Sequence, residues 1–190
     1  MAPKLDALLT TFLAAFLAEW GDKTQLMVVM LAAATRRPGQ VLAGLFLAAL
    51  ASNAAAALAG IYVAGTIPIR AMTLMVALSL LFAGAAGLFR RRPPAPAAAR
   101  LPMLTAFILC LAAEFGDRTQ FLTFTLAGRF DSAPLAAAGA TAGIMAACVP
   151  AAMLGERLAA VTPLRAIRYT VAGLFLIAGF IAAVQALQLA

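Results

Sequence analysis

Four acids stand where their chemistry has to be accounted for. Glu19 and Asp22 lie three residues apart in one apolar stretch, and Glu114 and Asp117 lie three apart in another. A charge inside a run of membrane-spanning length is costly, at least about 2.5–3.5 kcal/mol per residue on insertion scales, and such residues mark ion and proton pathways. Both pairs belong to one heptapeptide that occurs twice, EWGDKTQ at positions 19–25 and EFGDRTQ at positions 114–120. The two unmatched positions keep their chemistry, Trp20 against Phe115 and Lys23 against Arg118.

On a continuous helix, residues three and four apart share a face. Glu19, Asp22 and Gln25 then form one slanted stripe, and Glu114, Asp117 and Gln120 form another. If the stripes meet, four carboxylates and two amide oxygens converge, with the hydroxyls of Thr24 and Thr119 as further donors. An all-oxygen, carboxylate-rich cluster suits Ca²⁺, Mn²⁺ or Mg²⁺. The chain has no His, and its two cysteines, Cys110 and Cys148, are not clustered in sequence, so Zn²⁺ and Cu⁺ are poorly served.

Four carboxylates against Lys23 and Arg118 leave two net negative charges, which match one divalent cation or two protons. Carboxylates crowded at low dielectric resist being ionised together, and an arriving metal expels the protons they hold. Two ligands competing for one site with alternating access describe an antiporter. A purely structural account of the motif is a Glu19–Lys23 ion pair at the favourable i, i+4 spacing. It leaves the second acid, the Gln and the duplication unexplained.

Gly21 and Gly116 sit between the acids. Glycine lets a neighbouring helix approach, which is the favoured reading, or lets the helix break and expose carbonyls. Asn53 is a polar position in an apolar stretch, equally suited to a helix–helix hydrogen bond and to a cation ligand. Thr123 and Thr125 are expected to bond back to their own helix. Trp20 and Phe115 are read as packing residues, and Cys110 and Cys148 as inert, buried small residues.

These elements have to be held in a bilayer. The chain is 65% hydrophobic and only 11% charged, against roughly 25% charged in soluble domains. Spans of about 20 apolar residues are read at Ala7–Ala34, Val41–Ile67, Ala71–Phe89, Leu101–Ala127, Leu135–Leu154 and Tyr169–Leu187, with Pro150 internal to the fifth. The fold expected is all-α and polytopic, with six transmembrane helices. Residues 1–89 form one three-helix repeat and 101–190 a second, joined by a basic Pro/Ala-rich linker at 90–100. An odd number of spans per half inverts the second half, the plan of many transporters with a midplane site.

The net charge is +7, but the bases lie in short loops and give topology, not a nucleic-acid surface. Lys4, Arg70 and Arg129 fall on one side. Arg36, Arg37, Arg90, Arg91, Arg92, Arg100, Arg157, Arg165 and Arg168 fall on the other, which the positive-inside rule places in the cytoplasm with both termini outside.

Two copies of Glu-φ-Gly-Asp-Lys/Arg-Thr/Ser, Glu19–Thr24 and Glu114–Thr119, one in each three-span half, resemble the Gdt family of manganese and calcium exchangers. The resemblance covers the whole chain. It implies that Glu19, Asp22, Glu114 and Asp117 are cation-site acids with Thr24 and Thr119 in or beside the site. It also implies cation/proton antiport, with Mn²⁺ and Ca²⁺ as transported substrates. The basic central loop departs from the acidic loop of some eukaryotic members, and the Ala/Arg-rich composition is that of a bacterial protein. The expectation is a metal exporter of the bacterial inner (plasma) membrane, without enzymatic activity or a resident cofactor. The competing class is a proton-coupled exporter of small organic cations or amino acids, which calls for more aromatic lining around the acids.

Overall fold

The computed structural model describes residues 2–89, 100–155 and 163–187, and the described residues form eight α-helices and no strand. In chain order these are α1 (Ala2–Glu19), α2 (Lys23–Thr35), α3 (Pro38–Ala64), α4 (Ile69–Leu88), α5 (Pro102–Glu114), α6 (Arg118–Phe130), α7 (Ala133–Leu154) and α8 (Leu164–Leu187). Most of the linker read at 90–100 and half of the loop before α8 lie outside the described residues. Four helices, α3, α4, α7 and α8, are each long and apolar enough to cross a bilayer. Their outward faces carry exposed Leu, Ile and Phe, among them Leu58, Leu78, Leu174, Ile177 and Phe180. The molecule is an integral membrane protein.

The motifs do not lie on continuous helices, which corrects the sequence expectation. α1 stops at Glu19 and α2 starts at Lys23; α5 stops at Glu114 and α6 starts at Arg118. Gly21 has φ +71° and Gly116 φ +70°, a conformation that an L side chain adopts only under strain. Nothing lies within 4 Å of where a Cβ would stand on Gly116, and only the Leu164 carbonyl, at 3.6 Å, approaches that of Gly21. These glycines break the helix and do not seat a neighbour.

Helix ends elsewhere follow local chemistry. Prolines occupy the first turns of α3, α5 and α7, where the missing N–H costs nothing. For that reason α3 begins at Pro38, earlier than Val41. α8 begins at Leu164, directly after Pro163 and well before Tyr169. Pro150 lies inside α7.

Close contact between helices falls on small residues. A Cβ on Gly44 of α3 would collide with the Met103 carbonyl and Ala106 of α5, and one on Gly139 of α7 would collide with the Leu8 carbonyl and Thr11 of α1. Every member of the second contact lies 95 positions from its counterpart in the first. The same holds for Gly84 against Leu176 and Gly179 against Leu81, between α4 and α8. One core cluster, including Met27, Leu31, Leu45, Cys110, Ile144 and Cys148, lies among α1, α2, α3, α5 and α7. Another, including Ala83, Leu122, Leu126, Val171 and Phe175, lies among α1, α4, α6 and α8. Both cysteines are buried and free.

Candidate cation site

Each broken helix places its motif in the same way. The Glu closes the first half-helix, Glu19 on α1 and Glu114 on α5. The Asp takes the N-cap position of the second, Asp22 for α2 and Asp117 for α6. Neither Asp makes a side-chain cap hydrogen bond to its own helix. Half-helix N-termini carry partial positive charge and the preceding C-terminal carbonyls partial negative charge. Each break therefore offers both signs within the protein interior.

Both Asp side chains pair with the opposite motif. Lys23 Nζ lies 2.8 Å from Asp117 Oδ1, and Arg118 Nη2 lies 3.1 Å from Asp22 Oδ1. The Glu19–Lys23 pairing open to a continuous helix is not made. The helix break removes the i, i+4 geometry and sends Lys23 across to Asp117. Arg118 also donates to the Ala18 carbonyl at the end of α1. All four acids, Thr24, Thr119, Gln25 and Arg118 are buried, while Lys23 and Gln120 are half-buried. Glu19 is close enough to feel the charges of Glu114, Asp22, Asp117 and Arg118.

The two Gln residues brace the breaks. Gln25 Oε1 accepts the Gly21 N–H at 2.9 Å, and Gln120 Oε1 accepts the Gly116 N–H at 2.8 Å. Gln25 Nε2 donates to the Ala147 carbonyl at 2.9 Å, and Gln120 Nε2 to Ser52 Oγ at 3.0 Å. Ser52 and Ala147 are themselves repeat-equivalent positions. The amide oxygens grouped with the acids in the sequence thus satisfy the backbone of the break.

The glutamates differ in their neighbours. Thr24 Oγ1 donates to Glu114 Oε1 at 3.0 Å. The equivalent Thr119 hydroxyl is buried with no hydrogen-bond partner among the described residues, as is Asp22 Oδ2. Glu19 instead meets the Cys148 thiol, with Sγ 4.0 Å from Oε1. Asn53, the repeat equivalent of Cys148, joins helices: Thr123 Oγ1 donates to its Oδ1 at 3.1 Å, and its Nδ2 donates to Thr141 Oγ1 at 3.4 Å. Thr123 and Thr125 bond back to the carbonyls of Thr119 and Phe121, as expected, and Thr125 also contacts Ser79. Sequence reasoning missed Ser79 and Thr141, whose only signal was a hydroxyl within an apolar helix.

A cavity of about 520 Å³ between α3, α4 and α6 reaches Gly116, Asp117 and Gln120, with Phe82, Phe121 and Phe124 on its wall. Phe115 is 82% exposed and so is not the packing residue expected. Trp20 does pack, edge-on against Phe16 with ring centroids 5.9 Å apart.

The donor set is rich in hard oxygen, as a divalent cation requires. Among the described residues, though, no three His, Cys, Asp or Glu side chains are spaced to hold a metal ion. One oxygen of each Asp is engaged with a cation of the protein itself.

A family model described as "Divalent cation/proton antiporter GDT1" matches residues 7–94 and 102–190. The chain is also 35% identical over 164 residues to a protein of Vibrio cholerae serotype O1 (strain ATCC 39541 / Classical Ogawa 395 / O395) named "Putative manganese exporter", covering 85% of this chain and 82% of that one. No solved structure matches it. The duplicated acidic motif, its burial among apolar helices and these two matches agree. The chain belongs to the GDT1 family of divalent cation/proton antiporters and is a membrane transporter, not an enzyme.

Proposed function

We propose that the protein exports a divalent cation, Mn²⁺ and/or Ca²⁺, from the cytoplasm of a bacterium in exchange for protons. Glu19, Asp22, Glu114 and Asp117 carry the cation or the protons, and Thr24 and Thr119 add hydroxyl oxygens. The observation that carries this reading is the crossed pairing of Lys23 with Asp117 and Arg118 with Asp22. Each pair joins one motif to the other, so the acids of both halves work as one group. A divalent cation entering that group replaces the protein's own positive charges at the Asp oxygens. With the metal gone, Lys23, Arg118 and protons restore neutrality.

The scaffold in this reading is six spans in two inverted repeats, residues 1–89 and 101–190, with α1–α2 and α5–α6 each forming one broken span. Broken helices with charged termini at the midplane are what ion-coupled transporters use. The matching contacts made by the repeat-equivalent glycines, Gly44 and Gly139 in one pair and Gly84 and Gly179 in the other, support it. Termini outside and basic loops inside follow from the distribution of Arg. The cavity beside Asp117 gives that acid a route to the outside of the helix bundle.

The purified full chain in liposomes with an internal pH dye tests this. External Mn²⁺ should release protons from the lumen, and Glu19→Gln or Glu114→Gln should abolish the signal. Mn²⁺ uptake without proton movement would make the protein a channel. The aromatic wall of Phe82, Phe121 and Phe124 favours a second reading, export of an organic cation, because ring faces attract desolvated cations. Proton release driven by an organic amine and not by any metal would select it.

A further inference from the structure

The N-termini of α3 and α5 border a second cavity, of about 520 Å³, remote from the acids. Arg37 and Arg100 stand on its rim, and Leu47, Met103, Leu104 and Phe107 form its wall. Arg37 and Leu101 are the N-cap residues of the two helices, and neither supplies a side-chain cap. First-turn N–H groups without a cap, together with the aligned peptide dipoles, favour an anion at both ends. Neither guanidinium makes an ion pair among the described residues, and both are exposed. Beneath the rim, Leu47, Met103 and Leu104 remain solvent-accessible although strongly apolar. Gly44 seats directly on the backbone of Met103 and Phe107, which closes α3 onto α5 next to the cavity.

We infer that this cavity holds one anionic phospholipid of the leaflet on the Arg-rich side, which the topology proposed above makes the cytoplasmic leaflet. The phosphate pairs with Arg37 and Arg100, whose planar forks suit phosphate oxygens. The acyl chains run along Leu47, Leu104 and Phe107. A soluble anion would meet the two arginines but leave the apolar wall unused. A zwitterionic lipid would fill the wall but present its own cation to the rim. The lipid clamps α3 to α5 at one end and so joins a helix of one half to a helix of the other.

Native mass spectrometry of the full chain, extracted from bilayers of equal phosphatidylcholine and phosphatidylglycerol, tests the inference without reference to transport. The wild type should retain phosphatidylglycerol preferentially. Arg37→Gln with Arg100→Gln should weaken that retention roughly 25-fold, at about fivefold per arginine. Arg70→Gln with Arg129→Gln, in α4 and α6 and on the opposite side of the bilayer in the topology proposed above, should leave it unchanged. Excess inorganic phosphate should not displace the lipid. Equal retention of both lipids by the wild type, an equal loss in the Arg70/Arg129 variant, or displacement by phosphate overturns the proposal. Circular dichroism in pure phosphatidylcholine checks that the double variant folds. If it does not, Arg100→Gln alone, outside any helix, should still show the fivefold loss.

Discussion

Lys23, in the first copy of the motif, forms its ion pair with Asp117 of the second, Nζ to Oδ1 2.8 Å. Its repeat counterpart, Arg118, reaches back to Asp22 at 3.1 Å. The two halves of the chain are thus tied at their centres by opposite charges, each donated across the interface. The partners are unequally shielded: the Lys23 side chain is 18% exposed and that of Arg118 5%.

Removing one member of a buried pair strands the other, at a cost of about 3–5 kcal/mol. Arg118→Gln should therefore destabilise the protein strongly and Lys23→Gln less, as read by thermal unfolding in detergent. The exchange Lys23→Asp with Asp117→Lys should recover stability relative to either single change. No recovery would mean that the pair does not form.

Gly116→Ala isolates the cost of the helix break, because no atom crowds the added methyl. Forcing Ala into a left-handed conformation costs about 1–2 kcal/mol, so the midpoint of unfolding should fall. A variant as stable as the wild type would show that α5 continues through the motif as one helix.

Gln25→Leu and Gln120→Leu each remove the acceptor of a glycine N–H at the break and a donor to a second helix. An unsatisfied buried N–H costs about 1–3 kcal/mol; the Gly21 N–H is part-buried and the Gly116 N–H exposed, so both variants should unfold more readily, Gln25→Leu by more than Gln120→Leu. Gln25→Glu keeps the acceptor but loses the donation to the Ala147 carbonyl, and should also be less stable. If it instead unfolds like the wild type and binds Mn²⁺ more tightly, the side chain is a metal ligand and not a brace.

The paired threonines should behave differently. Thr24→Val deletes the hydrogen bond to Glu114 and should cost about 1 kcal/mol in stability. Thr119→Val deletes a hydroxyl that has no hydrogen-bond partner among the described residues and should leave stability unchanged or raise it. Loss of Mn²⁺-driven proton release in Thr119→Val at unchanged stability would assign that hydroxyl to the transported ion. Full transport by this variant would remove Thr119 from the site.

Much of the molecule was legible from its residues. Runs of apolar side chains announce helices in a bilayer because no other open structure satisfies its backbone there, and four such helices are present. A motif repeated at a constant spacing points to two equivalent halves, and the glycine contacts between helices keep that spacing. The role of Gly21 and Gly116 was not legible. The same residue serves close packing and a left-handed turn, and only its surroundings and φ distinguish them. Gln25 and Gln120 were grouped with the acids for the same kind of reason: an amide oxygen reads alike whether it faces a metal ion or a glycine N–H.

By itself, then, the sequence determined where charge is buried, how often, and in what chemical company, since burying an acid is costly wherever the chain places it. Only the tertiary structure decided which charge answers which. Partners along one helix are set by its 3.6-residue period, but once the helix breaks that period is lost. The match of Lys23 with Asp117, and of Arg118 with Asp22, then depends on how two distant segments cross.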